Sequence, residues 1–411
     1  MADIIACRIC ESALERVLVD LGTSPLSNAL LTATDLLSPE THWPLRVFVC
    51  EKCLLVQLPA FEAPESIFDA HYAYFSSYSE SWLRHAKMFA EAMTASLKLD
   101  ARSLVVEVAS NDGYLLRWFH EAGIPVLGIE PAANTAAAAQ QLGIPTRVAF
   151  FGAELALELR SEGVRADLMI ANNVLAHVPN LHDFAEGFRL LLRPQGVATF
   201  EFPHLLQLMQ QTQFDTIYHE HYSYLSLHVV ERVFREHGLT VNDVDEISTH
   251  GGSLRVYASP DQSGCVSSER VDMVRAREEE AGLTRLEGYT GFASRVYAVK
   301  AELLGFLLEA KRDGRRVVGY GAPAKGSTLL NFAGIRSDLL PYTVDRSPHK
   351  QGRFLPGVRI PIHAPERILE DRPDVVLILP WNLKDEVAEQ MKAVRDWGGR
   401  FAVPIPRLTF L

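Results

Sequence analysis

Two Cys-x-x-Cys pairs, Cys7–Cys10 and Cys50–Cys53, take four of the five cysteines, with residues 11–49 between them. Two residues between ligands let each pair sit on a tight turn and offer both thiolates to one tetrahedral ion. In a reducing compartment four such thiols read as a zinc site rather than two disulfides, with a redox role as the alternative. The gap between the pairs is longer than the common zinc-ribbon spacing. A site closed by four thiolates has no open coordination position, so its expected role is structural. It also explains how residues 1 to about 60 could fold around little core. The fifth cysteine, Cys265, receives no role.

A length of 411 residues predicts two or three domains at roughly 150 residues each. With 48% apolar and 22% charged residues, the composition excludes disorder, collagen and coiled coil. After the cysteine region comes His71-Tyr72-Ala73-Tyr74-Phe75-Ser76-Ser77-Tyr78-Ser79, either a packed aromatic connector or a binding segment. A helix is predicted over 81–97, with Trp82, Phe89 and Met93 at helical spacing. From Ser103 short apolar strands alternate with helices: strands at 104–109, 125–130, 167–171 and 197–202, helices at 114–122, 132–142 and 181–192. That alternation predicts a doubly wound sheet. A charged helical connector follows at 266–310. A second α/β unit then has strands at 316–320, 340–344, 374–379 and 401–404, and a helix running to Leu330.

Two segments carry chemistry. The strand Val105-Val106-Glu107-Val108 runs into the small-residue turn Ala109-Ser110-Asn111-Asp112-Gly113, and the next strand ends in Gly128-Ile129-Glu130. A carboxylate at the end of a second strand can accept from both ribose hydroxyls of an adenosine. The turn lacks G-x-G-x-x-G, and so lacks the close approach that a pyrophosphate needs. A cofactor without phosphates fits better than NAD. With Asp167 to Val178, the constellation looks like a class I S-adenosylmethionine-dependent methyltransferase.

The second segment is Asp215-Thr216-Ile217-Tyr218-His219-Glu220-His221-Tyr222-Ser223-Tyr224. Its histidines, glutamate and tyrosines suit proton transfer near neutral pH. If extended, it would put Tyr218, Glu220 and Tyr222 on one face and His219 and His221 on the other. A metal site through His219 and His221, or a satisfied polar patch, are the alternatives. An acidic carbon beside a carbonyl would suit such a base.

The order of motifs resembles the sugar-nucleotide C-methyltransferases of deoxysugar and antibiotic biosynthesis. The two Cys-x-x-Cys pairs are followed by Tyr72-x-Tyr74-x-Ser76-Ser77-Tyr78-Ser79 and Glu107 to Gly113. Tyr218-His219-Glu220-His221 comes next, then His250-Gly251-Gly252-Ser253-Leu254-Arg255-Val256 and Gly319-Tyr320-Gly321-Ala322-x-Ala324-Lys325-Gly326. Such enzymes methylate dTDP-4-keto-6-deoxysugars at C3 or C5.

The resemblance implies an α/β protein of three domains. These are an N-terminal zinc-binding domain (1–70), a central class I S-adenosylmethionine methyltransferase domain with a doubly wound sheet (71–265), and a C-terminal Rossmann-like domain with its connector (266–411). The nucleotide sugar is expected between the second and third. By the same resemblance His221 is the general base, and Tyr218 and Glu220 orient it or assist it. Tyr72 and His177 line the acceptor side. Glu107, Ala109, Asn111, Gly113, Glu130 and Asn172 hold the cofactor. Tyr74 and Lys325 bind substrate, Lys325 at a helix N-terminus suited to a diphosphate. An ordinary strand-to-helix turn is the alternative there. Cys7, Cys10, Cys50 and Cys53 bind zinc. The family has glycine where this chain has Ala109.

Three other functions stay open: a non-sugar acceptor, an NAD-linked or other nucleotide-binding protein using the Gly-rich C-terminal loop, and a zinc-ribbon nucleic-acid module. A net charge of −11 and the lack of a basic stripe argue against the last. The partners expected are a small nucleotide sugar, no nucleic-acid polymer and no membrane. The N-terminus has no basic, apolar leader pattern, so a cytoplasmic location is expected.

Overall fold

The computed structural model describes residues 5–67 and 75–411. Near the N-terminus, β1 (Val17–Ser24), β2 (Trp43–Val49) and β3 (Val56–Gln57) form antiparallel pairs. The chain then lays down β4 (Val105–Val108), β5 (Val126–Ile129), β6 (Thr146–Arg147), β7 (Ala166–Asn172) and β8 (Leu192–Pro203), all parallel, with helices between them. A two-residue strand, β9 (Ser223–Tyr224), leaves this sheet and pairs with β3. The hairpin of β10 (Leu239–Ile247) and β11 (Ser253–Pro260) returns to the edge of β8. The central sheet therefore has the order β10-β11-β8-β7-β4-β5-β6. The third sheet contains β12 (Val317–Tyr320), β13 (Thr343–Val344), β14 (Ile362–His363), β15 (Val375–Ile378), β16 (Arg400–Val403) and β17 (Thr409–Phe410), ordered β14-β13-β12-β15-β16-β17. Only β17 in it is antiparallel.

The α/β alternation appears as expected, because parallel strands covered on both faces must be continuously apolar; β4 is buried at all four positions. The helix Glu80–Leu97 starts where Ser79 Oγ accepts from the Trp82 amide at 3.3 Å, and it buries Ala86, Phe89, Ala90 and Met93. That spacing makes one apolar stripe, and burying Phe89 or Met93 contributes about 1.5–3 kcal/mol each. Two features depart from the expected outline. The β10–β11 hairpin lies in a stretch for which no strand was expected, because Asn242, Asp243, Asp245 and Glu246 are poor strand formers that here sit on a half-exposed edge. The first 60 residues also hold a real sheet, whose core residues Leu18, Val47 and Val56 pack in the same cluster as Phe214, Val296 and Leu329. The connector is two helices, Glu269–Glu280 and Phe292–Arg312. Among the described residues no helix is long and apolar enough to cross a membrane.

The cysteine turns pack elsewhere. Cys7, Cys50 and Cys53 share a core cluster with Val106 and Phe200 of the central sheet. Two tethers fix them there: Arg8 donates to the Pro179 carbonyl at 3.1 Å, and His182 Nε2 donates to that of Ile9 at 2.8 Å.

Candidate active site

The four cysteine sulfurs of the N-terminal turns lie within 4.8 Å of one another, with Cys7–Cys53 and Cys10–Cys50 contacts of 3.4 Å. The Cys7 thiol is lowered to about 4, first by its hydrogen bond with Cys53 and further by the amides of Cys10 and Ile9. A buried thiolate inside a closed cluster of soft donors fits a structural zinc ion. Among the described residues these cysteines are the only such metal-binding group. His219 and His221 do not form a second one. His219 Nε2 donates to the Pro44 carbonyl at 3.2 Å, whereas His221 Nδ1 donates to that of Thr216 at 2.8 Å.

At the carboxyl end of β4 the chain turns sharply. Ala109 (φ 55°), Asn111 (φ 49°) and Gly113 (φ 78°) all take left-handed backbone. For Ala109 that conformation costs roughly 1–2 kcal/mol, which explains why glycine suits the position. A Cβ on Gly113 would come within 2.5 Å of Ile144 Cδ1, and one on Gly128 within 2.5 Å of Ser110 Oγ. Glu130 ties the turn down. Its Oε2 accepts from the Asn111 amide at 2.9 Å and its Oε1 from the Ala132 amide at 2.8 Å.

Glu107, Asp112 and Glu130 are all buried here. Burial pushes Glu107 well above the usual carboxylate range, and the charges of Glu130 and Asp112 add to that against a Tyr114 hydrogen bond. Burial also raises Glu130, opposed by its two amides. Glu107 Oε2, Ser110 Oγ, Asp112 Oδ1 and Asn172 Oδ1 are buried with no partner among the described residues. Carboxylates and uncommitted acceptors at this sheet edge fit a ligand that brings hydroxyls, an ammonium and a sulfonium, as S-adenosylmethionine does. The Ser76 and Ser77 amides donate to Asn111 Oδ1 (2.9 Å) and Asp112 Oδ2 (3.1 Å) of this turn.

The segment 215–224 joins all three sheets. At one end β9 pairs with β3. At the other, Thr328 Oγ1 of the helix Ala324–Ala333 donates to the Ile217 carbonyl at 2.9 Å. The segment does not take the extended form over Tyr218 to His221. The His221 amide donates to the Tyr218 carbonyl at 2.9 Å, closing a turn that lays the two rings together, their centroids 4.0 Å apart. Tyr218 and His221 therefore share a side. His177 meets His221 edge-on at 4.7 Å, its Nδ1 donating to the Glu220 carbonyl at 2.7 Å.

With Nδ1 committed to Thr216, Nε2 is the basic nitrogen of His221. Burial holds His221 well below the usual imidazole range, with the charges of His177, His250 and Lys325 contributing. Burial also lowers His177 to about 4. The Glu220 side chain accepts from Asn28 Nδ2 at 2.7 Å, and burial raises it to about 7.

Lys325 stands in the first turn of the helix Ala324–Ala333, as expected. Its ammonium donates to Asn382 Oδ1 at 2.8 Å and lies 4.5 Å over the Trp381 ring. Tyr72 and Tyr74 lie outside the described residues. A second buried polar group escaped the sequence reading. Glu201 at the end of β8 holds Arg255 (2.8 Å), His85 (2.9 Å) and Thr249 (3.1 Å). The signal for it was a charged residue inside the apolar strand Thr199-Phe200-Glu201-Phe202.

With this geometry established, the relatives define the class. Residues 7–68 match a zinc binding domain family, residues 80–244 a methyltransferase domain family, and residues 248–406 a C-methyltransferase C-terminal domain family. The chain is 37% identical over 400 residues to C-methyltransferase NovU of Streptomyces niveus, covering 97% of this chain and 95% of that protein. Similar solved structures include the PH0226 protein from Pyrococcus horikoshii OT3, with 14% identity and a TM-score of 0.38 over 49% of this chain and 99% of that one. Another is magnesium protoporphyrin IX methyltransferase from Synechocystis PCC 6803 with bound SAH, with 16% identity and a TM-score of 0.34 over 43% and 82%. The protein is an S-adenosylmethionine-dependent methyltransferase with a structural zinc site. It belongs to the C-methyltransferase family that includes NovU.

Proposed function

We propose that this enzyme methylates the carbon next to the keto group of a dTDP-4-keto-deoxysugar, in deoxysugar biosynthesis. The observation that carries the reading is the state of His221. Its Nδ1 is fixed on the Thr216 carbonyl, Nε2 is left as the base, and burial disfavours the charged form of the ring. A base for a carbon acid must be unprotonated at working pH and held in one tautomer. His221 removes the proton, with the Tyr218 ring tilted against its own and His177 at its edge. Glu220 supports the site through its carbonyl, which orients His177. Glu107, Ala109, Asn111, Gly113, Glu130 and Asn172 form the cofactor side, and S-adenosylmethionine supplies an electrophilic methyl group when bound there. Cys7, Cys10, Cys50 and Cys53 hold the zinc. Lys325, Tyr72 and Tyr74 belong to the substrate side. The full-length likeness to a C-methyltransferase supports carbon as the acceptor atom.

The test is mass spectrometry of the purified enzyme with S-adenosylmethionine and fresh dTDP-4-keto-6-deoxyglucose in deuterated water. A product one methyl heavier that has lost the hydrogen of the methylated carbon is expected, with deuterium at that same carbon in the unmethylated substrate recovered. Binding of S-adenosylmethionine without methyl transfer to this sugar would remove the acceptor assignment and leave the enzyme class intact.

A further inference from the structure

Three segments meet on one tryptophan. Trp381 follows β15 in the C-terminal sheet. Its Nε1 donates to Asp215 Oδ2 at 2.6 Å, and its ring face carries the Lys325 ammonium at 4.5 Å. Its edge closes on Gly251, where an added Cβ would come within 2.3 Å of the ring. Gln213 Nε2, just before the base segment, donates to the Gly251 carbonyl at 2.7 Å. The start of the base segment, the first turn of the helix Ala324–Ala333 and the loop carrying His250 are thus fixed relative to one another. Thr328, one helical turn from Lys325 on the same face, bonds Ile217, the neighbour of the Thr216 carbonyl that orients His221.

Two groups in this arrangement have uncommitted hydrogen-bonding capacity. Lys325 has three donors, and among the described residues it meets one acceptor, Asn382 Oδ1, and no carboxylate at ion-pair distance. His250 sits at φ 56°, a conformation that a side-chain-bearing residue keeps only when its surroundings hold it. Its Nδ1 is buried without a partner among the described residues. A cation held on a neutral amide and a ring face, with the buried Asp215 carboxyl attracting it from beyond ion-pair distance and next to a base that takes a proton from carbon, suits a developing enolate oxygen.

We propose that Lys325, with His250 beside it, holds the keto oxygen of the acceptor while His221 removes the proton from the adjacent carbon. This rests on the keto-acceptor reading above and assigns Lys325 to the reacting carbonyl rather than to the diphosphate. In the step, the C–H pair becomes the C=C bond of the enolate and the carbonyl π pair moves onto oxygen. The proton goes to His221 Nε2, and the Lys325 ammonium keeps its own proton and balances the new charge. No oxidant or reductant is required. The charge of Lys325 is also among those that keep His221 unprotonated.

The experiment follows deuterium uptake by dTDP-4-keto-6-deoxyglucose in deuterated water with S-adenosylhomocysteine present, alongside calorimetry with dTDP. Lys325→Met is expected to slow exchange about 100-fold or more while leaving the dTDP affinity within about threefold. His250→Gln should slow exchange about tenfold, again without weakening dTDP. Near wild-type exchange in Lys325→Met, with dTDP affinity down tenfold or more, would overturn the assignment and return Lys325 to the diphosphate. If Lys325→Met loses both, Asn382→Ala decides, since it removes only the tether of the ammonium. Slower exchange at unchanged dTDP affinity supports the proposal, and weaker dTDP binding at unchanged exchange overturns it. Absence of exchange in the wild-type enzyme would instead defeat the keto-acceptor reading, and this assignment with it.

Discussion

The turn after β4 and the turn after β12 are wired alike. In the first, Glu130 from the end of β5 accepts from the turn amide of Asn111 and from Ala132, two residues beyond itself. In the second, Asp345 from the end of β13 accepts from the turn amide of Ala322 at 2.8 Å and from Ser347, two residues beyond itself, at 2.9 Å. The two turns differ in what stands next to that bond. The first adds Glu107 and Asp112, both buried, and so is acidic. The second adds Lys325 and Lys350, the latter donating to the Ala322 carbonyl at 2.9 Å, and so is cationic. A carboxylate at the end of a second strand is therefore part of how both sheets close their first turn. The charge around it differs between the two turns, which suits the cationic methyl donor proposed for the first and the electron-rich acceptor proposed for the second.

The sharpest way to break this comparison is to remove both carboxylates in turn. Glu130→Ala and Asp345→Ala each delete two charge-assisted hydrogen bonds and should each lower stability by about 3 kcal/mol in denaturant titrations. Calorimetry should separate them, with S-adenosylmethionine affinity falling about 100-fold in Glu130→Ala and staying within about twofold in Asp345→Ala. Equal losses in both would mean that the wiring, not the surrounding charge, carries cofactor binding.

A carboxyl that belongs to neither turn sharpens the same point by pH. Burial raises Glu220 from 4.5 to about 7, so the folded state holds that proton more tightly than the unfolded chain does. Its contribution to stability is full below pH 4.5 and is lost as pH rises to about 7. Glu220→Gln removes that dependence. Relative to the wild type it should gain up to about 3 kcal/mol between those pH values, read from melts across the range. A pH-independent difference would contradict the burial of an ionisable carboxyl there.

The smallest effect concerns the first turn alone. Ala109→Gly relieves left-handed backbone at φ 55° and should raise stability by about 1 kcal/mol, less what the freer unfolded chain takes back. A loss of stability would show that the alanine methyl packs usefully in that turn.

The central sheet was legible because each of its strands is a short apolar run bounded by turn residues, as in Val105–Val108 and Ala166–Asn172. The sharp turn after β4 and the cysteine pairs were legible because their signals are local in sequence. The β10–β11 hairpin was not, since its acidic residues contradict strand propensity and its pairing partner on β8 lies far back in the chain, as in Ser253 with Pro203 and Ala258 with Ala198. The base segment was legible in composition but not in shape. Alternation suggested opposite faces for Tyr218 and His221, and a turn closed by backbone hydrogen bonds put them together. Trp381 offered no sequence signal, because its role depends on Asp215, Gly251 and Lys325, distant positions that only the folded chain assembles.

The central claim is that cofactor binding and proton removal are separate tasks of separate segments, the β4 turn and the base segment. The direct measurement is His221→Ala, with calorimetry of S-adenosylmethionine binding and methyl transfer followed on one preparation. The account predicts an unchanged dissociation constant, within about twofold, and turnover lower by about 10²–10⁴-fold. Retained turnover would remove His221 as the base, and lost S-adenosylmethionine binding would show that the two segments do not work apart.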